Sequence, residues 1–237
     1  MVILDTFFVN FDYNLIPMQL TDNFRQALQD YILFLNKHYP EKSIHELVST
    51  RYALNHFERS MLYRGVTTFE KAEKRKTRLI TKEQFKHRTI HIDLFNTLFT
   101  IAAYLRGFPV YLSNDGLLRD ASESHDSNEF VDHLVKSLDL LLNCLDALKI
   151  PKAVFYLDNP LHLSGMIAKQ IENRAAALKT EIGIIRDESP DHLIRRATEG
   201  VLSTSDSTII DKSTLPVFDL PRHVIESAFN PHFLNLG

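Results

Sequence analysis

From Thr89 onward, apolar runs of strand length alternate with segments whose apolar residues recur every three or four positions. Such alternation predicts an α/β domain with a mostly parallel central sheet. The stretch Thr89-Ile-His-Ile-Asp-Leu-Phe-Asn-Thr97 opens it. A β-branched run ends at Asp93, and Asn96 is expected to cap a helix that stops at Gly107. A second strand is expected over 108–112. Asn114-Asp115-Gly116 predicts a tight turn and 117–120 a returning strand. After a polar loop over 121–127, Phe130, Leu134, Leu138, Leu141, Leu145 and Leu148 form one helical stripe. His133 and Cys144, on that helix, read as packing or surface residues. A strand over 153–157 then stops at Asp158-Asn159-Pro160. Beyond it we expect a helix over 164–178, a strand over 182–185, and a short helix begun by Ser189-Pro190-Asp191. A strand over 201–204 runs into Ser205-Asp206, followed by a strand over 216–219 and a helix over 221–228.

Before Thr89 the period is helical. Phe24, Leu28, Tyr31, Ile32 and Leu35 share a face that ends before Pro40. Ser43 with Glu46 predicts a capping box for a second helix, and Asn55 with Glu58 one for a third, closed by Gly65. Residues 2–16, rich in aromatic and β-branched side chains, suit either an added edge strand or a segment packed on another surface. The expected division is therefore a helical module with a basic connector over 1–88, and the α/β domain over 89–237.

Composition narrows the chemistry. The chain has 237 residues, 44% hydrophobic and 24% charged, with a formal net charge of -3. Nucleic-acid binding would need a local patch rather than global basicity. The connector offers one: between Glu70 and Arg88, Lys74, Arg75, Lys76 and Arg78 cluster among few acids, suiting either a solvated helix or phosphate contacts. Cys144 is the single cysteine, so neither a disulfide framework nor a cysteine zinc cluster is expected. With no leader-like or membrane-spanning apolar run, a cytoplasmic, non-membrane protein is expected.

Three acids, Asp93, Asp158 and Asp206, each follow a predicted strand, and Asp191 begins the helix before the last of these strands. In a parallel sheet such residues gather at the carboxyl edge, where ligands bind. Crowded carboxylates repel unless a hard cation neutralises them, and Mg²⁺ or Mn²⁺ suits all-oxygen ligands. Asp115 and Asp120 read as turn residues, Asp211 as an outlying member, and His91 as a residue of the sheet.

Ile92-Asp93-Leu94-Phe95-Asn96, Pro190-Asp191-His192-Leu193-Ile194 and Val201-Leu202-Ser203-Thr204-Ser205-Asp206 resemble the opening and closing motifs of PIN-like, NYN-type nucleases. The resemblance implies a three-layer Rossmann-type fold, an RNA substrate, and Mg²⁺ or Mn²⁺ held by Asp93, Asp191 and Asp206. Asn96 would orient Asp93 or the attacking water, and Asp158 would be a further acid. Leu94-Phe95 departs from those openings, which more often carry Gly or Tyr.

A closer resemblance spans most of the chain. Leu35-Asn-Lys-His-Tyr-Pro-Glu-Lys-Ser43, Arg51-Tyr52 and Leu62-Tyr-Arg-Gly-Val66 resemble the family called domain of unknown function 434. Asn114-Asp-Gly-Leu-Leu-Arg-Asp120, Phe155-Tyr-Leu-Asp-Asn-Pro160 and Thr204-Ser-Asp-Ser207 resemble its companion 5616. Neither family name carries a reaction. Two rivals follow from the same residues. Asp93-Leu-Phe-Asn-Thr97-Leu98 resembles the first motif of haloacid-dehalogenase-type phosphohydrolases, with Asp93 as nucleophile, Ser164 and Lys169 or Lys179 between, and Asp206 and Asp211 last. Phe95 stands where their second Asp is usual. A scaffold that binds RNA or protein without cutting is the other.

Overall fold

The computed structural model describes residues 20–85, 88–122, 128–158 and 163–237. Residues 2–16, Lys86, residues 123–127, Asn159 and Pro160 lie outside them.

The N-terminal helices are α1 (Asp22–Asn36), α2 (Glu41–Arg51), α3 (His56–Gly65) and α4 (Phe69–Lys76). At α3 the Asn55 side chain accepts from the Glu58 backbone and Glu58 reaches back to Asn55, the reciprocal cap expected from sequence. At α2 the expectation fails. The helix begins at Glu41, directly after Pro40, and no side chain caps it. Pro40 holds the backbone extended at that entry, so Ser43 and Glu46 fall inside the helix. Phe24, Tyr31, Ile44, Val48, Met61 and Leu62 form the core of this module.

After a 3-10 turn (Lys82–Phe85), the chain enters β1 (Ile90–Asp93) and α5 (Leu94–Leu105). Gly107 takes φ 74°, where the chain leaves α5. The hairpin follows as β2 (Val110–Leu112) and β3 (Leu118–Asp120), turned at Gly116 with φ 85°. Next come α6 (Asn128–Ala147), β4 (Lys152–Asp158), α7 (Ser164–Ala175), β5 (Glu181–Asp187) and α8 (Pro190–Ile194). The chain ends through β6 (Val201–Ser203), α9 (Ser207–Lys212), α10 (Leu220–Ala228) and β7 (Leu234–Asn235).

The central sheet is wholly parallel, in the order β5-β4-β1-β6. Ile90 and Ile92 face a large core shared with α5, α6, α7 and α10. Tyr156 and Leu202 join Ile194, Ile209 and Ile210 in a second core made with α8 and α9. Helices thus cover both faces, which explains strands that are apolar on both sides. The predicted strand over 216–219 is instead two isolated bridges, Val217 with Leu79 and with Leu202. Val217 donates to Arg78 and Leu202 donates to Pro216, so this segment ties the connector to the sheet edge.

The hairpin does not extend the central sheet. It forms a second sheet, β3-β2-β7, with the C-terminal residues. Tyr111, Ala121 and Leu236 of that region belong to the core of the N-terminal helices, so the two segments share one interior. Gly65 shows why the contact is close: a Cβ there would overlap the Tyr111 ring and come within 2.9 Å of Leu236 Cδ1. α3 ends at Gly65 as expected, though not through a left-handed glycine; what requires glycine is this approach to the small sheet. Among the described residues no helix is long and apolar enough to cross a membrane.

Candidate functional site

After β1 the chain builds outward to β4 and β5, then returns across the sheet to place β6 on the other side of β1. The direction of winding therefore reverses between β1 and β6, the place where ligand crevices open in parallel α/β sheets. Asp93 ends β1 at that point. Its Oδ2 accepts from the Thr204 hydroxyl at 2.8 Å, and Thr204 Oγ1 accepts from the Asp206 backbone N–H at 3.0 Å. One hydroxyl thus links the Asp93 carboxylate to the backbone of Asp206.

Asn96 does not cap α5. The helix begins at Leu94, with Asp93 at the capping position. Asn96 lies one turn in and reaches across to β6, its Oδ1 accepting from Ser205 N at 2.8 Å and Ser205 Oγ at 3.0 Å. It therefore fixes the loop that carries Asp206. Asp206 caps α9, with Oδ1 accepting from Thr208 N and Ile209 N. Its other oxygen is not needed for that cap.

Asp158 ends β4, the neighbour of β1. Its Oδ1 is buried without a hydrogen-bond partner among the described residues, and an uncompensated carboxylate oxygen is costly there. Asp191 lies on α8, which packs against β1, β4 and β5, and is exposed. Burial pushes the Asp93 carboxyl up from 3.8 to about 7, against the Thr204 hydrogen bond, and the charges of Asp191 and Asp206 raise it further. Asp191, although largely open to solvent, is raised by partial desolvation against the fold, then by Asp206 and by Asp158. The four acids chosen from sequence therefore share one electrostatic field. They do not form a finished cage: among the described residues no three His, Cys, Asp or Glu side chains stand ready to hold a metal. The donor chemistry is that of a hard divalent cation, and the unpartnered Asp158 oxygen gives such a cation something to satisfy.

Sequence reasoning missed Asp187, which ends β5 in register with Asp158. In sequence it stands two residues beyond the apolar run, behind Arg186, and so did not look like a strand-end acid. Its Oδ1 accepts from Ser189 N, at the entrance to α8.

The basic connector needs correction. Arg75 is 6% exposed and bonds Asp211 through Nε and Nη2, at 2.8 and 2.7 Å, and Asp115 through Nη1 at 3.0 Å. Arg78 donates to the carbonyls of Ile210 and Leu215. Both guanidinium groups are committed to holding the fold. Lys76 pairs with Glu73 at 2.9 Å on the exposed face, and Lys74 is exposed. Asp115, expected only to shape the turn, is 1% exposed and also receives Arg119 at 2.8 and 2.9 Å. Burial would raise its carboxyl, but Arg119 and the surrounding donors hold it well below the ordinary range. Arg119 continues to the Ser205 carbonyl at 2.9 Å. A line of polar contacts thus runs from α4 through Asp115 and Arg119 to Ser205, and from there through Asn96 to the Asp93 end of the crevice. His91 stays a sheet residue, bonded to Tyr156 Oη and the Glu199 carbonyl.

A two-layer-covered parallel sheet with acids at its switch point, joined through buried ion pairs to a helical module, defines an α/β protein with a carboxylate crevice. The chain belongs to the family described as Domain of unknown function (DUF5616), whose model matches residues 82–223. Residues 23–78 match the model described as Protein of unknown function (DUF434). An uncharacterised protein of Methanocaldococcus jannaschii is 29% identical over 202 residues, covering 85% of this chain and 96% of that protein. No solved structure matches the chain.

Proposed function

We propose that this protein is a PIN-like, metal-dependent phosphodiesterase acting on RNA, with the crevice at the ends of β1, β4 and β6 as its active site. The observation carrying this is Asp93, whose carboxyl is raised towards 7 by burial and by the charges of Asp191 and Asp206. A protein maintains such repulsion where a cation or a developing charge will relieve it. Asp93, Asp158, Asp191 and Asp206 would hold Mg²⁺ or Mn²⁺. The ion would supply charge neutralisation at the phosphate and a hydroxide nucleophile at neutral pH. In the reaction the water oxygen bonds to phosphorus, the ester P–O bond breaks, and the departing oxygen takes a proton. The chain's own part is positional. Thr204 fixes one oxygen of Asp93, and Asn96 with Arg119 holds the loop bearing Asp206.

A haloacid-dehalogenase-type reaction is less well supported. Asp211, its proposed metal ligand, is drawn to Arg75, whose hydrogen bond holds the Asp211 carboxyl below its ordinary value. The Ser164 hydroxyl is spent on the Asp158 carbonyl. A scaffold that binds RNA or protein without cutting is the second alternative, favoured by acids that, among the described residues, are not closed into a cage.

The decisive experiment is Mn²⁺-dependent cleavage of mixed RNA by wild type, Asp93→Asn and Asp206→Asn. Cleavage in the wild type that falls at least about a hundredfold in both variants supports the proposal, on the scale expected when metal or transition-state contacts go. Asn caps a helix as well as Asp, so Asp206→Asn should keep its fold, and undiminished cleavage by that variant would refute the assignment. Wild type that binds RNA and never cuts it would favour the scaffold.

A further inference from the structure

Two adjoining cavities, of about 280 and 320 Å³, open between the N-terminal helices and the sheet domain. They share Glu41, Tyr63, Arg64 and Arg119 in their walls, and the second reaches Asn96, Ser205 and Asp206. The candidate active site therefore continues into a cleft whose other bank is the helical module. Five Lys or Arg residues line the first cavity against three acids. Arg75 and Arg119 are neutralised by Asp115 and Asp211. That leaves Arg64, Lys71 and Lys212, all exposed and without a carboxylate partner among the described residues, against Glu41; Arg64 also donates to the Ser122 carbonyl at 3.4 Å. Tyr63 stands beside them 46% exposed, its ring braced at 5.3 Å by His45. An exposed aromatic face beside several cations is the equipment for an unpaired base and its phosphates, because a base within a duplex offers no free face.

We propose that the cleft between α3, α4 and the sheet domain binds single-stranded nucleic acid, Tyr63 stacking a base while Arg64, Lys71 and Lys212 contact the backbone. The strand is thereby led to the Asp206 end of the crevice. This role rests on the phosphodiesterase assignment for its meaning but is measurable without catalysis. The helical module is then half of the substrate site, which accounts for the shared interior and the buried ion pairs that hold the banks together.

The test is fluorescence anisotropy with a labelled oligoribonucleotide of about twelve nucleotides, within the usual single-strand site size, full-length protein and EDTA throughout. The Arg64→Glu/Lys71→Glu double variant should bind at least about tenfold more weakly, and its salt dependence should flatten by about 1.4 in logarithmic slope for two lost phosphate contacts. Tyr63→Ala should weaken binding about 5- to 150-fold, the usual range for one stacked base, while Tyr63→Phe retains affinity. Lys212→Glu tests the opposite bank independently. Circular dichroism of each variant should match wild type. Wild type that fails to bind a single strand, prefers a duplex, or is unaffected by all these substitutions overturns the proposal. Loss of binding in the variants without any wild-type cleavage would sustain the cleft and count against the phosphodiesterase. Normal cleavage with unaltered binding would do the reverse.

Discussion

Replacing Asp93 with Asn should stabilise the metal-free protein, increasingly so as the pH rises. The Asp93 carboxyl titrates near 7 in the fold against an ordinary 3.8. The folded state thus holds a proton that the unfolded chain has released, and stability is lost as pH climbs from about 4 to about 7. With ~1.4 kcal/mol per unit, the penalty on wild type is ~2 kcal/mol at pH 5 and ~4 kcal/mol at pH 8, where it levels off. Asn carries no charge to desolvate, and its carbonyl can still accept from Thr204. The variant should therefore gain most of this difference, about 8–16 °C in Tm at pH 8 for a chain of this size. Groups remote from the crevice cancel between the two proteins, and loss of the Asp93 charge relieves Asp191 and Asp206 in the same direction. The assay is thermal unfolding of both in EDTA across pH 5–8, followed by addition of Mn²⁺. The ion should raise the Tm of wild type more than that of the variant, which keeps only Asp158, Asp191 and Asp206 of the four proposed ligands. A gap that does not grow with pH, or a variant less stable than wild type at pH 8, would show that Asp93 is not under electrostatic strain.

Arg75→Ala should cost about 1.5–3 kcal/mol, since its charge-assisted hydrogen bonds go while Asp115 keeps Arg119 and Asp211 reaches solvent, read as a fall in the denaturation midpoint. A loss under ~1 kcal/mol would mean the pair is merely a surface contact. Gly65→Ala should cost about 1–3 kcal/mol, because its methyl must displace the Tyr111 ring and Leu236. Unchanged thermal stability would show that the small sheet yields easily to the helices.

Patterns repeated along the chain were legible in advance. The alternation from β1 to β6, the stripe on α6, the Asn55–Glu58 cap and the Gly116 turn are local, each written in a few neighbouring residues. So were the acids at strand ends, because a parallel sheet sends every such residue to one edge. The errors came where a partner is distant in sequence. Asn96 looked like a cap, since Ser205, which it binds, is 109 residues away. Arg75 and Arg78 looked like surface cations, since their partners Asp211 and Leu215 arrive only when the chain returns. Residues 216–219 had a strand's composition but found only single bridges.

Sequence by itself thus determined the parallel α/β layering and the set of carboxylates, because backbone periodicity and strand direction are properties of contiguous residues. Tertiary structure decided the rest: that β1 and β6 meet at the switch point, that Arg75 is neutralised rather than offered to a ligand, and that Arg64, Lys71 and Lys212 face one cleft. Charges become a site or a buried pair according to which opposite charge folding brings beside them, and that choice is made across the whole chain.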